Sequence, residues 1–255
     1  MAVSGTTIAV IGSNGAIGAA VVEDLLANGV QVLGFDRGDT PRDSRIVHHA
    51  LDFADLDAGT AAFRAVVEDH RDTLSGLVIA SGLYPARHMA DETPQTLADL
   101  LLVNTVAPAV LVEAYVAGIL GTASAAPRPQ SIVVTSSLAA RKARIGSGAY
   151  SASKTALERL MTTTALEHLG TGIRINCVQP GYVSSRSEIN PIPADYEEMI
   201  ARRSGGLVVP ADLVGIYRWL LSDASALVNG ECLAIDGGLH IGRTDDSAWV
   251  DDGHR

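Results

Sequence analysis

The sequence predicts an α/β protein: a doubly wound parallel β-sheet of about seven strands, flanked by helices on both faces, with residues 1–255 forming a single domain. Three observations carry that expectation. Short β-branched apolar runs alternate with longer stretches of helical spacing along the whole chain. The strand-like runs are apolar almost throughout instead of alternating, as a strand covered on both faces requires. No low-complexity linker or internal repeat divides the 255 residues. Alternation of this kind implies right-handed crossovers, and ligands at the carboxyl ends of the strands.

Taken in order, the strand runs are TTIAVIG (6–12), VQVLGFD (30–36), SGLVIAS (75–81), QSIVVTS (130–136), GIRINCVQ (172–179) and ECLAID (231–236). Between them, residues 16–29, 58–72, 94–120, 149–170 and 211–223 carry apolar positions at helical spacing. Asn28-Gly29 and Gly170 supply helix stop signals.

Composition narrows the function classes. With 47% hydrophobic and 19% charged residues, 25 Gly and 10 Pro, the chain is neither disordered, collagen-like nor a disulfide scaffold. A net charge of −10 without basic runs argues against nucleic acid and anionic membrane surfaces as partners. No apolar stretch is expected to approach the ~20 residues that cross a bilayer. The opening MAVSGTTIAVIG lacks the basic start of a signal peptide. Cys177 and Cys232 lie in apolar runs and read as buried free thiols of a reducing, cytoplasmic compartment. The seven His are scattered, so no metal site is expected.

Chemistry gathers at two places. Gly12-Ser13-Asn14-Gly15-Ala16-Ile17-Gly18 follows the first strand and opens a helix. Glycines there permit a tight turn and close approach to a pyrophosphate, which the helix N-terminus attracts. Asp36 ends the second strand, where a carboxylate accepts both ribose hydroxyls of an adenosine and repels a 2′-phosphate. Arg37 beside it suits a 2′-phosphate, but the glycine loop carries no basic residue to support it. NAD is therefore expected over NADP.

The second place is Tyr150-Ser151-Ala152-Ser153-Lys154, which stacks Tyr150 and Lys154 on one helix face. A free Tyr has a pKa of about 10, and a nearby ammonium lowers it toward usable acid/base chemistry. Ser137, at the end of the preceding strand run, offers a hydroxyl to a carbonyl or alcohol oxygen.

The glycine loop, Asp36, Ser137, Tyr150 and Lys154 together resemble the short-chain dehydrogenase/reductase family, in order and spacing, from Thr7 to Gly238. The resemblance implies a Rossmann fold and NAD-dependent hydride transfer between a small-molecule secondary alcohol and a ketone. Tyr150 is then the general acid/base, Ser137 holds the substrate oxygen, and Lys154 lowers the Tyr150 pKa and binds the nicotinamide ribose. It further implies that Asn104 holds a water linking Lys154 to solvent, and that Asp52 and Phe53 meet the adenine. Pro180, Gly181 and Val183 are implied to line the nicotinamide, with Ser185 at the family's Thr position and Ser81-Gly82 beside the nucleotide. Family members are commonly tetramers or dimers, so a homo-oligomer is expected.

Three departures from the family pattern stand out. Gly15-Ala16 inverts the usual placement, giving the G-x-x-G-x-x-G of nucleotide-sugar epimerases and dehydratases. The family's N-N-A-G reads Ile79-Ala80-Ser81-Gly82, and Thr is replaced by Ser185. An epimerase or dehydratase, or a dinucleotide sensor without turnover, are the alternative readings. The substrate is expected under a lid over residues 184–205, near LYPARHMADE (83–92) and the loop after Ser137. In that loop Arg141, Lys142 and Arg144 form a basic cluster suited to a substrate carboxylate, sulfonate or phosphate, or to solvent or a subunit contact. Tyr84, Arg87 and His88 are further candidates. Residues 239–255 read as an acidic tail, a mobile terminus or one anchored by Trp249 on a neighbouring subunit.

Overall fold

The computed structural model describes residues 6–121, 128–184, 198, 200 and 207–241. Seven strands run β1 (Thr7–Ile11), β2 (Gln31–Asp36), β3 (Val47–Ala50), β4 (Leu74–Ile79), β5 (Gln130–Thr135), β6 (Ile173–Pro180) and β7 (Cys232–Ile235). Between them lie α1 (Ala16–Ala27), α2 (Leu56–His70), α3 (Pro94–Leu101), α4 (Ala107–Leu120), α5 (Gly148–Glu167) and α6 (Pro210–Leu221). The strands form one sheet in the order β3-β2-β1-β4-β5-β6-β7, every neighbouring pair parallel. The chain moves outward from β1 to β3, then crosses back to β4 and continues to β7. That reversal opens a crevice above the carboxyl ends of β1 and β4.

Alternate residues of each strand serve different cores, which is why the runs read as continuously apolar. Ile8 and Val10 of β1 join Val21, Val22 and Leu25 of α1 and Leu213, Tyr217 and Leu220 of α6. Ala9 and Ile11 face the other way, onto Phe63 of α2, Tyr115 of α4, and Leu157 and Met161 of α5. Each fully buried aliphatic or aromatic side chain contributes about 1.5–3 kcal/mol, so both layers are strongly held.

The structure departs from the sequence expectations in three places. Strand β3 (VHHA) sits at the sheet edge with partly exposed residues, so it carries no apolar run to announce it. The helix expected over 94–120 is interrupted by a π-helical turn at Leu102–Val106. Pro108 has no N–H to give the Asn104 carbonyl its i→i+4 bond, so the turn widens around Asn104. Pro94–Leu120 is also long and apolar enough by composition to cross a membrane, which corrects the expectation that no stretch approaches that length. Here Leu111, Val112, Tyr115, Val116 and Ile119 spend that apolar surface on the core.

Cys177 and Cys232 are free and pair in register across β6 and β7. Only Cys177 is fully buried; Cys232, on the edge strand, is half-buried.

Candidate active site

The turn after β1 is built on close backbone contact. Gly12 takes φ +81°, and a Cβ there would lie 2.6 Å from the Ser81 backbone nitrogen. The Gly12 and Ser13 N–H groups both donate to the Phe35 carbonyl (2.8 and 3.2 Å), tying the loop to β2. Gly15 accepts the role of N-cap for α1 without a side-chain cap, and the first turn holds no acidic residue. Among the described residues no side chain therefore caps the leading N–H groups of α1, which carry the positive end of the helix dipole. Gly18 packs so tightly that a Cβ would come 2.0 Å from the Gly12 carbonyl oxygen. Ile17 packs against the α1–α6 core.

Asp36 ends β2 beside this loop. Its carboxylate accepts the Asn14 N–H (3.0 Å) and the Arg37 N–H (2.8 Å). The Asn14 side chain donates to the Thr40 carbonyl (3.0 Å) and accepts the Arg42 N–H (2.7 Å), pinning the next loop in place. Arg37 itself is exposed. The Leu51 N–H bonds the Asp36 carbonyl (2.8 Å), which brings exposed Asp52 to the same rim. Phe53 packs onto the core.

Across the crevice, the Ser81 hydroxyl oxygen is buried without a hydrogen-bond partner among the described residues. Gly82 follows, and a Cβ there would sit 3.3 Å from Asn104 Oδ1 and 3.4 Å from Lys154 Nζ, so both side chains converge on it. Gly181 bonds the Ile235 carbonyl (3.0 Å), fastening Pro180-Gly181 to the end of β7. Val183 pairs with Val208 in an isolated bridge. Ser185, most of the expected lid over 184–205, and the tail beyond residue 241 with Trp249 lie outside the described residues.

The side chains of Ser137, Tyr150, Lys154 and Asn104 gather beyond the end of β5. Ser137 caps a short turn, its Oγ accepting the Ala139 N–H (3.1 Å), and lies within hydrogen-bonding reach of the Tyr150 phenol. Buried Lys154 donates to the Thr135 carbonyl (3.0 Å). Asn104 is fully buried; it accepts the Leu83 N–H and donates to the Leu83 carbonyl (2.8 Å each) and to Ser153 Oγ (3.1 Å). Ser153 in turn donates to the Tyr150 carbonyl (2.7 Å). Asn104 thus clips the loop after β4 to the helix that carries Tyr150 and Lys154.

Burial pushes the Tyr150 phenol up, opposed by the Ser137 hydroxyl and the positive charge of Arg144. The sequence predicts that Lys154 lowers the Tyr150 pKa; in the structure its ammonium donates to the Thr135 carbonyl, and Arg144 is a further positive charge acting on the phenol, one that the spacing along the chain does not show. Burial pushes Lys154 itself down to about 8, against the pull of Cys177 and Glu158. Between pH 8 and the ordinary lysine value near 10.4 the unfolded chain then binds more protons than the folded one. Stability from this residue therefore rises with pH through that window. Relative to Lys154→Met, the wild type is expected to gain about 2 kcal/mol between pH 8 and pH 10. Urea titrations at both pH values measure the gain, and an unchanged difference would show an ordinary lysine.

The basic cluster is divided by the fold. Arg141 donates to the Cys232 carbonyl (2.7 Å) and Lys142 to the Leu239 carbonyl (2.8 Å), so both are tied to the C-terminal strand region. Arg144 instead lies over the Tyr84 ring (5.2 Å) and the Tyr182 ring (5.4 Å). Tyr84 packs edge-on against Tyr150, ring centroids 4.6 Å apart. Arg87 bonds the Gly146 carbonyl through its N–H (2.9 Å) and pairs with Glu92 (3.5 Å), a role within the loops; His88 is exposed.

Residues 11–240 match the family model described as enoyl-(acyl carrier protein) reductase. The chain belongs to the short-chain dehydrogenase/reductase family. It is similar to an acetoacetyl-CoA reductase of Synechocystis sp., 28% identical over 239 residues, 91% of this chain and 95% of the relative. It is also similar to the 2,3-dihydro-2,3-dihydroxybenzoate dehydrogenase of Escherichia coli, 27% identical over 251 residues, 94% and 98% of the two chains. Among solved structures, ligand-free aldohexose dehydrogenase of Thermoplasma acidophilum superposes with a TM-score of 0.83 at 21% identity, covering 94% of this chain and 96% of the other.

Dehydrogenases of this family use nicotinamide cofactors, and the residues present fit one. The glycine turn leaves a cradle that side chains would fill, α1 presents N–H groups that no side chain caps among the described residues, and the buried Ser81 hydroxyl awaits a partner. The family's usual Asn pair after β4 is absent, but Gly82 still admits Asn104 and Lys154 to the same point. Inverting Gly15 and Ala16 is accommodated because Gly15 has become the extended N-cap (φ −68°, ψ 165°) and Ala16 the first helical residue.

Proposed function

We propose that this short-chain dehydrogenase/reductase is an NAD-dependent oxidoreductase that interconverts a secondary alcohol and a ketone, with Tyr150 as general acid/base. The observation that carries the reading is the convergence of Ser137, Tyr150 and Lys154 beyond the end of β5, beside the crevice where the Gly12–Gly18 turn opens α1. When bound, the dinucleotide supplies the site that accepts or gives up hydride at carbon. Gly12, Ser13, Asn14, Gly15, Ile17 and Gly18 would hold its pyrophosphate, Asp36 its adenosine ribose, and Ser81, Gly82, Pro180, Gly181 and Val183 the groups beyond. Both curated relatives are named for substrates that bear a hydroxyl or carbonyl group, which agrees with this class.

In the oxidation direction Tyr150 takes the alcohol proton at its phenolic oxygen, while the Ser137 hydroxyl donates to the same substrate oxygen as charge develops on it. Lys154 holds positive charge below the phenol and offers donors to the nicotinamide ribose. Asn104 ties the loop after β4 to Ser153 of α5, which fixes that loop against the helix carrying Tyr150 and Lys154.

Nucleotide choice rests on Asp36, whose carboxylate is already oriented by the Asn14 and Arg37 N–H groups. Asp36→Ser removes the repulsion of a 2′-phosphate and leaves neighbouring Arg37 to receive one. We expect kcat/KM with NAD⁺ to fall about tenfold or more and that with NADP⁺ to rise by a similar factor, a combined shift near 3 kcal/mol. Nicotinamide reduction at 340 nm with a panel of secondary alcohols tests both the activity and the preference. Equal use of the two nucleotides before and after the change would remove Asp36 as the selector.

A further inference from the structure

We infer that Cys177 and Cys232 form a dithiol site for hydroperoxides, in which half-buried Cys232 is the attacking sulfur and buried Cys177 closes a disulfide between β6 and β7. The site uses neither Ser137 nor Tyr150, so it stands independently of the hydride-transfer reading.

The pairing is set by the sheet. Cys177 and Cys232 are direct partners in the parallel ladder, and the Cys177 N–H donates to the Glu231 carbonyl (2.7 Å), which fixes their register. Both side chains leave on the α5 face. Cys177 belongs to the core that holds Leu157, Met161 and Ala165, and Cys232 packs against that same core. Neighbouring strands lie about 4.7–4.9 Å apart, a spacing that suits the Cα atoms of a disulfide. Its Cβ atoms need a closer approach, about 3.5–4.5 Å, so the bond must draw the two strands together by a few tenths of an ångström. The edge position of β7 permits that movement: the strand has four residues, and among the described residues it pairs only with β6. A disulfide closed against such strain is one that thiols reopen readily.

Surroundings make the two sulfurs unequal. Cys177 is 1% exposed, whereas half-buried Cys232 can be reached by a small oxidant. The hydrogen bond from the Cys177 thiol, with the Arg141 charge and the Thr162 hydroxyl, holds the Cys232 thiol below its ordinary range, against burial and the Glu158 charge. That same bond and burial push Cys177 up. Arg141 is kept in place by its bond to the Cys232 carbonyl (2.7 Å). A reachable sulfur biased toward thiolate, beside a thiol that stays protonated, is the arrangement of an attacking and a resolving cysteine.

The chemistry balances with the peroxide as the sole oxidant. The Cys232 thiolate attacks one peroxide oxygen, the O–O bond breaks, and the departing hydroxide takes a proton to become water, leaving a sulfenic acid. The Cys177 sulfur then attacks the Cys232 sulfur. The S–S bond forms, the S–O bond breaks, and the second hydroxide leaves as water with the Cys177 proton. Two thiols have given up two electrons and hydrogen peroxide has become two waters.

The test treats the folded chain with a slight molar excess of hydrogen peroxide, removes the oxidant with catalase, unfolds the protein in urea with N-ethylmaleimide and weighs it by mass spectrometry. Wild type is expected to emerge two hydrogens lighter with neither thiol alkylated, to yield a peptide pair joining Cys177 to Cys232, and to recover both thiols in dithiothreitol. Cys177→Ser is expected to stop at a sulfenic acid on Cys232, captured by dimedone. In Cys232→Ser the Cys177 thiol should be lost about tenfold or more slowly than the thiols of wild type. Thermal midpoints confirm that the variants fold, and Cys177→Ala gives the same readout where a buried hydroxyl costs the fold. Two alkylatable thiols left in wild type, a sulfinic acid on Cys232 with Cys177 unlinked, or a disulfide joining Cys232 of two chains overturns the site. Equally fast loss of Cys177 in Cys232→Ser overturns Cys232 as the attacking sulfur.

Discussion

Replacing Tyr150 by Phe is expected to lower kcat/KM by about a thousandfold while leaving NADH affinity within about threefold, because positioned proton transfer contributes roughly 10²–10⁴. The change removes one hydroxyl. The ring that remains keeps its edge contact with Tyr84, and the Tyr150 carbonyl still accepts from Ser153. Neither α5 nor the loop after β4 loses a packing partner, so a loss of rate reports on the proton and not on the fold. Steady-state kinetics beside NADH fluorescence titration separates the two, and turnover that survives in Tyr150→Phe would sink the assignment. The pH dependence has a definite sign. Oxidation needs the phenolate, so kcat/KM rises as pH rises through the Tyr150 pKa. Burial holds that pKa high and the Arg144 charge holds it down. Removing Arg144 therefore moves the rising limb to higher pH.

The second large effect is expected at Gly18. A Cβ there would stand 2.0 Å from the Gly12 carbonyl oxygen and 2.8 Å from its carbon. Both are backbone atoms of the turn that faces the crevice, so no side chain can swing away to relieve the overlap. Gly18→Ala must push α1 off the turn, at about 3 kcal/mol or more of stability by analogy with overpacked cores. It must also shift the leading N–H groups of α1, weakening NADH binding by at least tenfold. Gly38→Ala is the matched control, since a Cβ there meets nothing within 4 Å. It is expected to change stability by no more than about 0.5–1 kcal/mol, by restricting the unfolded chain. Urea unfolding and NADH titration of both variants measure the contrast. Near-native binding in Gly18→Ala would show that the turn tolerates a looser approach than its packing implies.

How much of this was legible beforehand differs by element. Strands β1, β2, β5 and β7 lie within the runs read from the sequence, and β4 and β6 overhang theirs by one residue each, because burial leaves a continuous apolar signature. Strand β3 escaped because an edge strand of two His, Val and Ala has no such run. The glycine turn and the Tyr150–Lys154 spacing are local patterns, visible without a fold. The π-helical turn at Asn104 is local too; Pro108 is its signal, four residues on from the carbonyl it leaves without a partner.

What the sequence by itself determined is whatever depends on neighbours along the chain: the strand–helix alternation, the glycine turn that opens α1, Asp36 at a strand end, and Tyr150 one helical turn before Lys154. Only the tertiary structure decided which member of a basic cluster faces the chemistry. Arg141, Lys142 and Arg144 are indistinguishable along the chain. Their partners, the carbonyls of Cys232 and Leu239 and the rings of Tyr84 and Tyr182, come from segments some forty to one hundred residues away. Long-range pairing of that kind is set by which loops the sheet order brings together, and no short-range periodicity encodes it.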